Sequence, residues 1–227
     1  MQLPKIKKID NSLSEIVYQA IYKNIISGKL KPGAAITEIT VANTMGISRA
    51  PVREALKRLA EDKLVVLVPR SGCYVKDMNM EEIDEIYEIR KRLECMALEY
   101  SFEKMDRRQL HTLKKKFEEC LALDTEQMLA KEIKLDTQLH NMIAQDSGCP
   151  NLEEMLENLR ARIEVFRFKE ANYQDRARLA LTEHVEIIGA VLSEDKSAAL
   201  ECLKTHIAHT KENVLKNMKA LLEEAQK

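Results

Sequence analysis

Apolar side chains recur every three or four residues through most of this chain, the spacing of one face of an α-helix. Ser12 or Ser14 can cap a first helix, in which Ile16, Val17, Ala20, Ile21 and Ile25 share a side before Gly28 ends the run. Leu30-Lys31-Pro32-Gly33 makes a turn. A second helix is expected from Thr37 or Glu38 to Met45, with Gly46 as its turn residue. Ser48 caps a third, with Pro51 in the first turn, where a missing N–H costs little, and with Val52, Ala55, Leu56 and Leu59 facing inward. The pattern then shortens. Leu64 to Val68 and Cys73 to Val75 read as two strands around Pro69 to Gly72.

From Met80 onward the helical period returns. Met80 to Phe102 presents Ile83, Ile86, Tyr87, Leu93, Met96, Ala97 and Tyr100, and Asp106 caps a helix through Leu110, Leu113, Phe117 and Leu121. Further helices are expected from Thr125 to Gln145, from Leu152 to about Lys169 and from about Tyr173 to Leu192. Asp195 and Ser197 open the last, which continues past Leu221. Turn formers are few, 6 Gly and 5 Pro, and four of them (Gly28, Pro32, Gly33, Gly46) fall in one short stretch. The expected fold is therefore mainly α: a winged helix-turn-helix over residues 1–76, then an antiparallel all-α bundle of about six helices over 77–227.

Charge divides at the same place. Residues 1–76 carry 13 Lys and Arg against 6 Asp and Glu, whereas residues 77–227 carry 23 against 31. A basic first third on an acidic remainder suits a polyanion-binding module joined to a part that stays off the polyanion. The absence of a run of 18 apolar residues points to a cytoplasmic chain without a membrane partner. The five scattered cysteines lack the close pairing of a zinc knuckle or a disulfide framework, and read as reduced thiols.

In a helix-turn-helix the first residues of the second helix reach the base edges of the major groove. Here these are Ser48, Arg49, Ala50 and Arg53. The two arginines, four apart, share a face and can fork onto guanine or phosphate. Arg70 at the hairpin tip can meet backbone or minor groove, and Gly72 lets the hairpin turn. Each arginine alone, Arg58 included, reads as readily as a solvated helix charge. Two at a helix start and one on a hairpin tip point instead to duplex DNA.

The run from Met45 to Leu56, followed by Leu64-Val65 and Pro69 to Val75, resembles the GntR family of bacterial transcription regulators, as does the G-x-L-x-P-G turn from Gly28 to Gly33. The resemblance implies DNA contacts at Ser48, Arg49, Arg53, Arg70 and Gly72. Ile39 departs from members with a base-reading arginine there, and Asp62-Lys63-Leu64 replaces the usual Glu-Gly-Leu, a change expected to be harmless.

The helical half holds Asp136 and His140 one turn apart, with His184 and His206 on later helices. An acid and three imidazoles suit a divalent transition metal, although core or surface histidines read as well from spacing alone. Asp136-Thr137-Gln138-Leu139-His140, Glu183-His184-Val185-Glu186-Ile187-Ile188 and His206-Ile207 are similar to the FCD effector-binding domain. That resemblance implies metal ligation by Asp136, His140, His184 and His206 (Zn, Ni, Mn or similar). It also implies a small organic acid completing the coordination, with Arg90 facing its carboxylate. Leu139 stands where Phe is more usual, reshaping a pocket wall, and Cys149-Pro150 replaces Asn-Pro. His209, one turn from His206, is an alternative ligand; His111 has no matching role. Six helices favour the smaller, VanR-like subtype.

The function expected is that of a homodimeric, ligand-responsive regulator, commonly a repressor, binding a palindromic operator and sensing a small carboxylate. The rivals are an architectural DNA binder whose bundle only dimerises, and a metal-dependent hydrolase using Glu183 or Glu186 as base.

Overall fold

The computed structural model describes residues 12–26, 29–77, 79–167 and 173–225. The basic lead-in Met1 to Asn11, the stop at Gly28 and the helix end near Lys169 lie outside them. The chain divides into two compact units, Met1–Asp77 and Met78–Lys227.

In the first unit, α1 (Leu13–Ile26) is capped by Ser12, whose hydroxyl accepts the Glu15 N–H at 3.3 Å. Val17, Tyr18, Ile21 and Ile25 are buried, but Ile16, expected beside them, is exposed. At 100° per residue Tyr18 completes the inner face and Ile16 falls on the far side. The Tyr18 ring lies in the seam with α3 (Arg49–Glu61), and its hydroxyl donates to Asp62 at 2.7 Å. Thr37 caps α2 (Glu38–Met45) by accepting the Thr40 N–H at 3.1 Å. Gly46, with φ +65, adopts the left-handed conformation that lets the chain turn into α3. Val52, Ala55, Leu56 and Leu59 form the buried side of α3, as the periodicity predicts.

Val65–Val68 (β2) and Gly72–Val75 (β3) pair antiparallel, with Val66 opposite Tyr74. A third strand, β1 (Ala35–Ile36), joins the other edge of β3, giving the order β1-β3-β2. Two residues carry no period, so nothing in the local sequence announces this strand. It forms because the Val75 N–H donates to the Ala34 carbonyl and the Gly33 N–H to the Val75 carbonyl, both at 2.9 Å.

The second unit is helical among its described residues: α4 (Met80–Ser101), α5 (Arg107–Leu121), α6 (Thr125–Asp146), α7 (Pro150–Arg167), α8 (Tyr173–Leu192) and α9 (Lys196–Ala225). Asn79, Asp106 and Asp124 cap α4, α5 and α6 with their side chains, and Asp195 accepts the Ala198 N–H at the start of α9. Pro150 opens α7 rather than following the end of α6, because its missing N–H is one that a helix start leaves unbonded anyway. The inner face of α4 corrects the expectation. Met96 and Tyr100 are exposed, while Arg90, Glu94 and Ser101 are buried beside Ile83, Ile86, Tyr87 and Ala97. Polar residues occupy those inner positions, so a count of apolar ones places the stripe too far round the helix. Because α4 packs on α6 and α9, and α8 on α5, α6 and α9, the inner faces of α4, α6, α8 and α9 meet. No helix among the described residues is long and apolar enough to cross a membrane.

Candidate DNA-reading face and metal centre

Ser48, Arg49, Ala50 and Arg53 all stand exposed at the start of α3. Ser48 has the extended backbone of an N-cap, but its hydroxyl makes no cap bond. Arg53 lies against α2: its Nε and Nη2 donate to Oε1 and Oε2 of Glu38, both at 2.9 Å. Arg58, half-exposed, packs against α1 instead. It bonds Glu15 at 2.5 Å, and its guanidinium lies 4.6 Å from the Tyr18 ring centroid. At the wing tip Pro69 and Arg70 are the central residues of a turn closed by the Ser71 N–H on the Val68 carbonyl at 3.0 Å. Arg70 sits at φ +63, a conformation that usually belongs to glycine, and its side chain is exposed. Gly72, at φ +133, leads into β3.

In the second unit, one ligand atom each of Asp136, His140, His184 and His206 lies within 4.8 Å of the other three. All four residues are buried. Asp136 and His140 leave one face of α6, as their i, i+4 spacing predicts. His184 comes from α8 and His206 from α9. The Nε2 atoms of His140 and His184 lie 3.7 and 3.5 Å from Asp136 Oδ1. The His184 and His206 ring centroids are 4.3 Å apart, and the Phe117 ring on α5 backs His184 at 5.0 Å.

Carboxylates outside this set aim two of the rings. His140 Nδ1 meets Glu94 Oε2 at 2.5 Å, and His206 Nδ1 meets Glu183 Oε2 at 2.8 Å. A proton held between Nδ1 and a carboxylate leaves Nε2 as a bare lone pair, the tautomer that a metal needs. Each carboxylate is itself clamped by a buried arginine: Arg90 Nε bonds Glu94 at 2.7 Å, and Arg176 Nη2 bonds Glu183 at 2.8 Å. Arg90 also reaches inward, its Nη2 3.3 Å from His140 Nε2.

Burial works to raise the Glu94 carboxyl, but Arg90 and His140 outweigh it and hold the group well below the usual range. Glu183 follows the same logic: burial is overcome by the bond from His206 and the charge of Arg176, which bring it to about 2. Burial holds the His206 imidazole down to about 4, despite the bond to Glu183. It is therefore neutral near pH 7 and free to donate a lone pair. Ligands around one transition-metal ion at ~2.1 Å are at most about 4.2 Å apart. A sub-ångström closure of this donor set would hold such an ion, so the residues present fit a divalent metal.

The model of the gntR family of bacterial regulatory proteins matches residues 13–75, and that of the FCD domain matches residues 85–209. The chain is a GntR-family regulator with an FCD domain. The HTH-type transcriptional regulator YdhC of Bacillus subtilis is 31% identical over 91% of each chain. The HTH-type transcriptional repressor RspR of Escherichia coli is 25% identical over 89% of each. Among solved structures, the Zn2+-bound FCD domain of TM0439 is similar at 25% identity with a TM-score of 0.53, over 63% of this chain and 97% of that one. These families and relatives are transcriptional regulators, which sets the hydrolase reading aside. Glu183, one of the two bases that reading offered beside Glu186, is already engaged by His206, His209 and Arg176.

Within the FCD domain His209 does not join the cluster. Its Nδ1 bonds Glu183 Oε1 at 2.6 Å, which places it behind the carboxylate rather than beside the ligands. The roles of Glu94, Glu183 and Arg176 escape sequence reasoning. Glu94, one turn after Arg90, and Glu183, next to His184, were visible as residues but not as partners of histidines on other helices. Arg176 had no signal. Leu139, expected to reshape a pocket wall, is fully buried among the core side chains.

Proposed function

We propose that this regulator is a homodimeric, cytoplasmic repressor whose residues 1–76 bind a palindromic operator and whose residues 77–227 dimerise and sense a small carboxylate. The observation that carries the sensing role is the convergence of Asp136, His140, His184 and His206, with Glu94 and Glu183 turning two imidazoles toward one point. Those four side chains would hold a divalent transition metal, which when bound supplies a Lewis-acid site for a carboxylate oxygen. The Zn2+-bound FCD domain supports a metal of that class here without deciding its identity. Arg90 faces the same space. Glu94 occupies its Nε, and its Nη2, 3.3 Å from His140 Nε2, would turn to an effector carboxylate once a metal takes that nitrogen.

Ser48, Arg49, Ala50, Arg53, Arg70 and Gly72 form the DNA-facing set. Two copies related by a two-fold axis would present α3 to the two halves of an inverted repeat. Occupation of the FCD pocket can change DNA affinity only as far as the effector prefers one arrangement of the dimer over the other. The repressor relative RspR supports the sign.

The test is a thermal-shift screen of small organic acids with and without Zn2+, Ni2+ or Mn2+, followed by binding to the DNA upstream of the regulator's own gene. An acid that stabilises only with metal and weakens DNA binding is the expected result. If no acid or metal moves either readout, the bundle is a dimerisation device alone.

A further inference from the structure

The pair between Glu38 and Arg53 has a geometry suited to reading bases rather than to holding the fold. Glu38 is the first residue of α2, fixed there by the Thr37 cap, and Arg53 lies one turn beyond Arg49 on α3. Both carboxylate oxygens are used, at 2.9 Å each, on the Nε/Nη2 edge of the guanidinium. The side chains are 61% and 31% exposed for Arg53 and Glu38, so the pair adds little to stability. What it fixes is direction. With the Nε/Nη2 edge occupied, the end of the fork, Nη1 and the outer hydrogen of Nη2, is left to meet a partner. That edge presents two donors side by side, matching O6 and N7 of guanine.

The charge points the same way. An arginine already neutralised by a carboxylate gains little from a phosphate, and Glu38 repels any phosphate that approaches it. Arg49 and Arg70 are exposed and form no such fork with any described residue. Resting on the proposed DNA-reading role of α3, we infer that Glu38 is a specificity-determining residue: it buttresses Arg53 so that Arg53 reads a guanine, while Arg49 and Arg70 supply the backbone attraction. Holding the guanidinium beforehand also reduces the side-chain freedom lost on binding. Glu38 further penalises registers that would bring a phosphate to this spot, a repulsive contribution to specificity.

The test begins with selection of duplexes by the full-length wild type from a random-sequence pool. The best duplex, versions of it with each guanine replaced, and a random-sequence duplex are then titrated at several salt concentrations. Glu38→Asp keeps the charge but is too short to hold the fork, and Glu38→Gln removes the charge. For both variants, discrimination at one G·C pair is expected to fall about tenfold. Arg53→Ala is expected to lose the same preference with an unchanged salt slope, whereas Arg49→Ala and Arg70→Ala each lower that slope by about one. If Glu38→Gln tightens binding to selected and random duplexes by the same factor, Glu38 is only a repulsive charge and the inference fails. It fails equally if both Glu38 variants keep the wild-type preference, or if Arg53→Ala flattens the salt slope. A wild type that selects no sequence overturns the DNA-reading role itself, and this inference with it.

Discussion

Arg70 and Lys63 hold the same left-handed backbone, at φ +63 and +58, for different reasons. Lys63 ends α3 in a turn where the Leu64 N–H bonds the Leu59 carbonyl at 2.9 Å, the position that normally takes glycine. The change expected to be harmless therefore carries backbone strain. Replacing either residue with glycine relieves about 1–2 kcal/mol of backbone strain against roughly 0.5–1 kcal/mol of added chain entropy, a net gain of about 0–1.5 kcal/mol. Lys63→Gly is expected to raise the melting temperature and leave DNA binding unchanged. Arg70→Gly is expected to raise it as well but weaken binding to operator DNA. Thermal melts with duplex titrations check both, and an Arg70→Gly variant that binds as wild type would remove Arg70 from the DNA-facing set. A second residue-scale test concerns Glu183, which takes no place among the four proposed ligands. Glu183→Gln leaves the ligands intact but loosens His206, so metal affinity in a chelator competition is expected to fall about 10–100-fold.

At the scale of the elements, α5 supplies none of the four converging side chains yet positions one of them. Phe117 is fully buried, with its ring against His184. Phe117→Ala is expected to destabilise by about 3–5 kcal/mol through the cavity it leaves. Phe117→Leu, closer in volume, is expected to lose far less stability while still releasing the His184 ring. Urea unfolding separates the two variants in stability, and metal titration of Phe117→Leu reads the positioning role by itself. The polar inner face of α4 belongs to the same design. Arg90 and Glu94, four residues apart, give up apolar burial so that the helix can steer His140. That is why periodicity misplaced this face while it placed α3 and α5 well. A helix that serves a polar centre departs from the apolar stripe where it serves.

For the whole molecule, acid and chelators should act on the same centre. The His206 pKa is about 4 in the folded chain against 6.5 unfolded, so the unfolded state binds a proton first as pH falls. That share of stability is complete above about pH 6.5 and is lost between there and about pH 4. Glu183, at about 2 against 4.5, adds stability that is complete above about pH 4.5 and is lost as pH falls towards 2. Metal-free protein is therefore expected to melt at progressively lower temperature from pH 7 to pH 4. A flat profile in differential scanning calorimetry would contradict the buried neutral His206. At pH 7 a bound metal at a thousandfold excess over its Kd is expected to stabilise by about 4 kcal/mol. Adding a chelator should return the melt to the metal-free value.

The amino-acid order by itself determined the helices, caps such as Ser12, Asp106 and Asp195, the recognition turn at Gly46 and the exposed Arg49, Arg53 and Arg70, because those follow from spacing and from bonds a few residues long. It also placed Asp136 and His140 on one face, since a single helical turn joins them. Whether His184 and His206 meet that face depends on how α6, α8 and α9 pack, and no local rule carries that across 44 and 22 residues of chain. The same holds for the carboxylates behind the imidazoles, for β1, which exists only through its bonds to β3, and for Glu38 on Arg53. Each joins groups distant in sequence, and only the burial of the surrounding apolar faces fixes the distance between them.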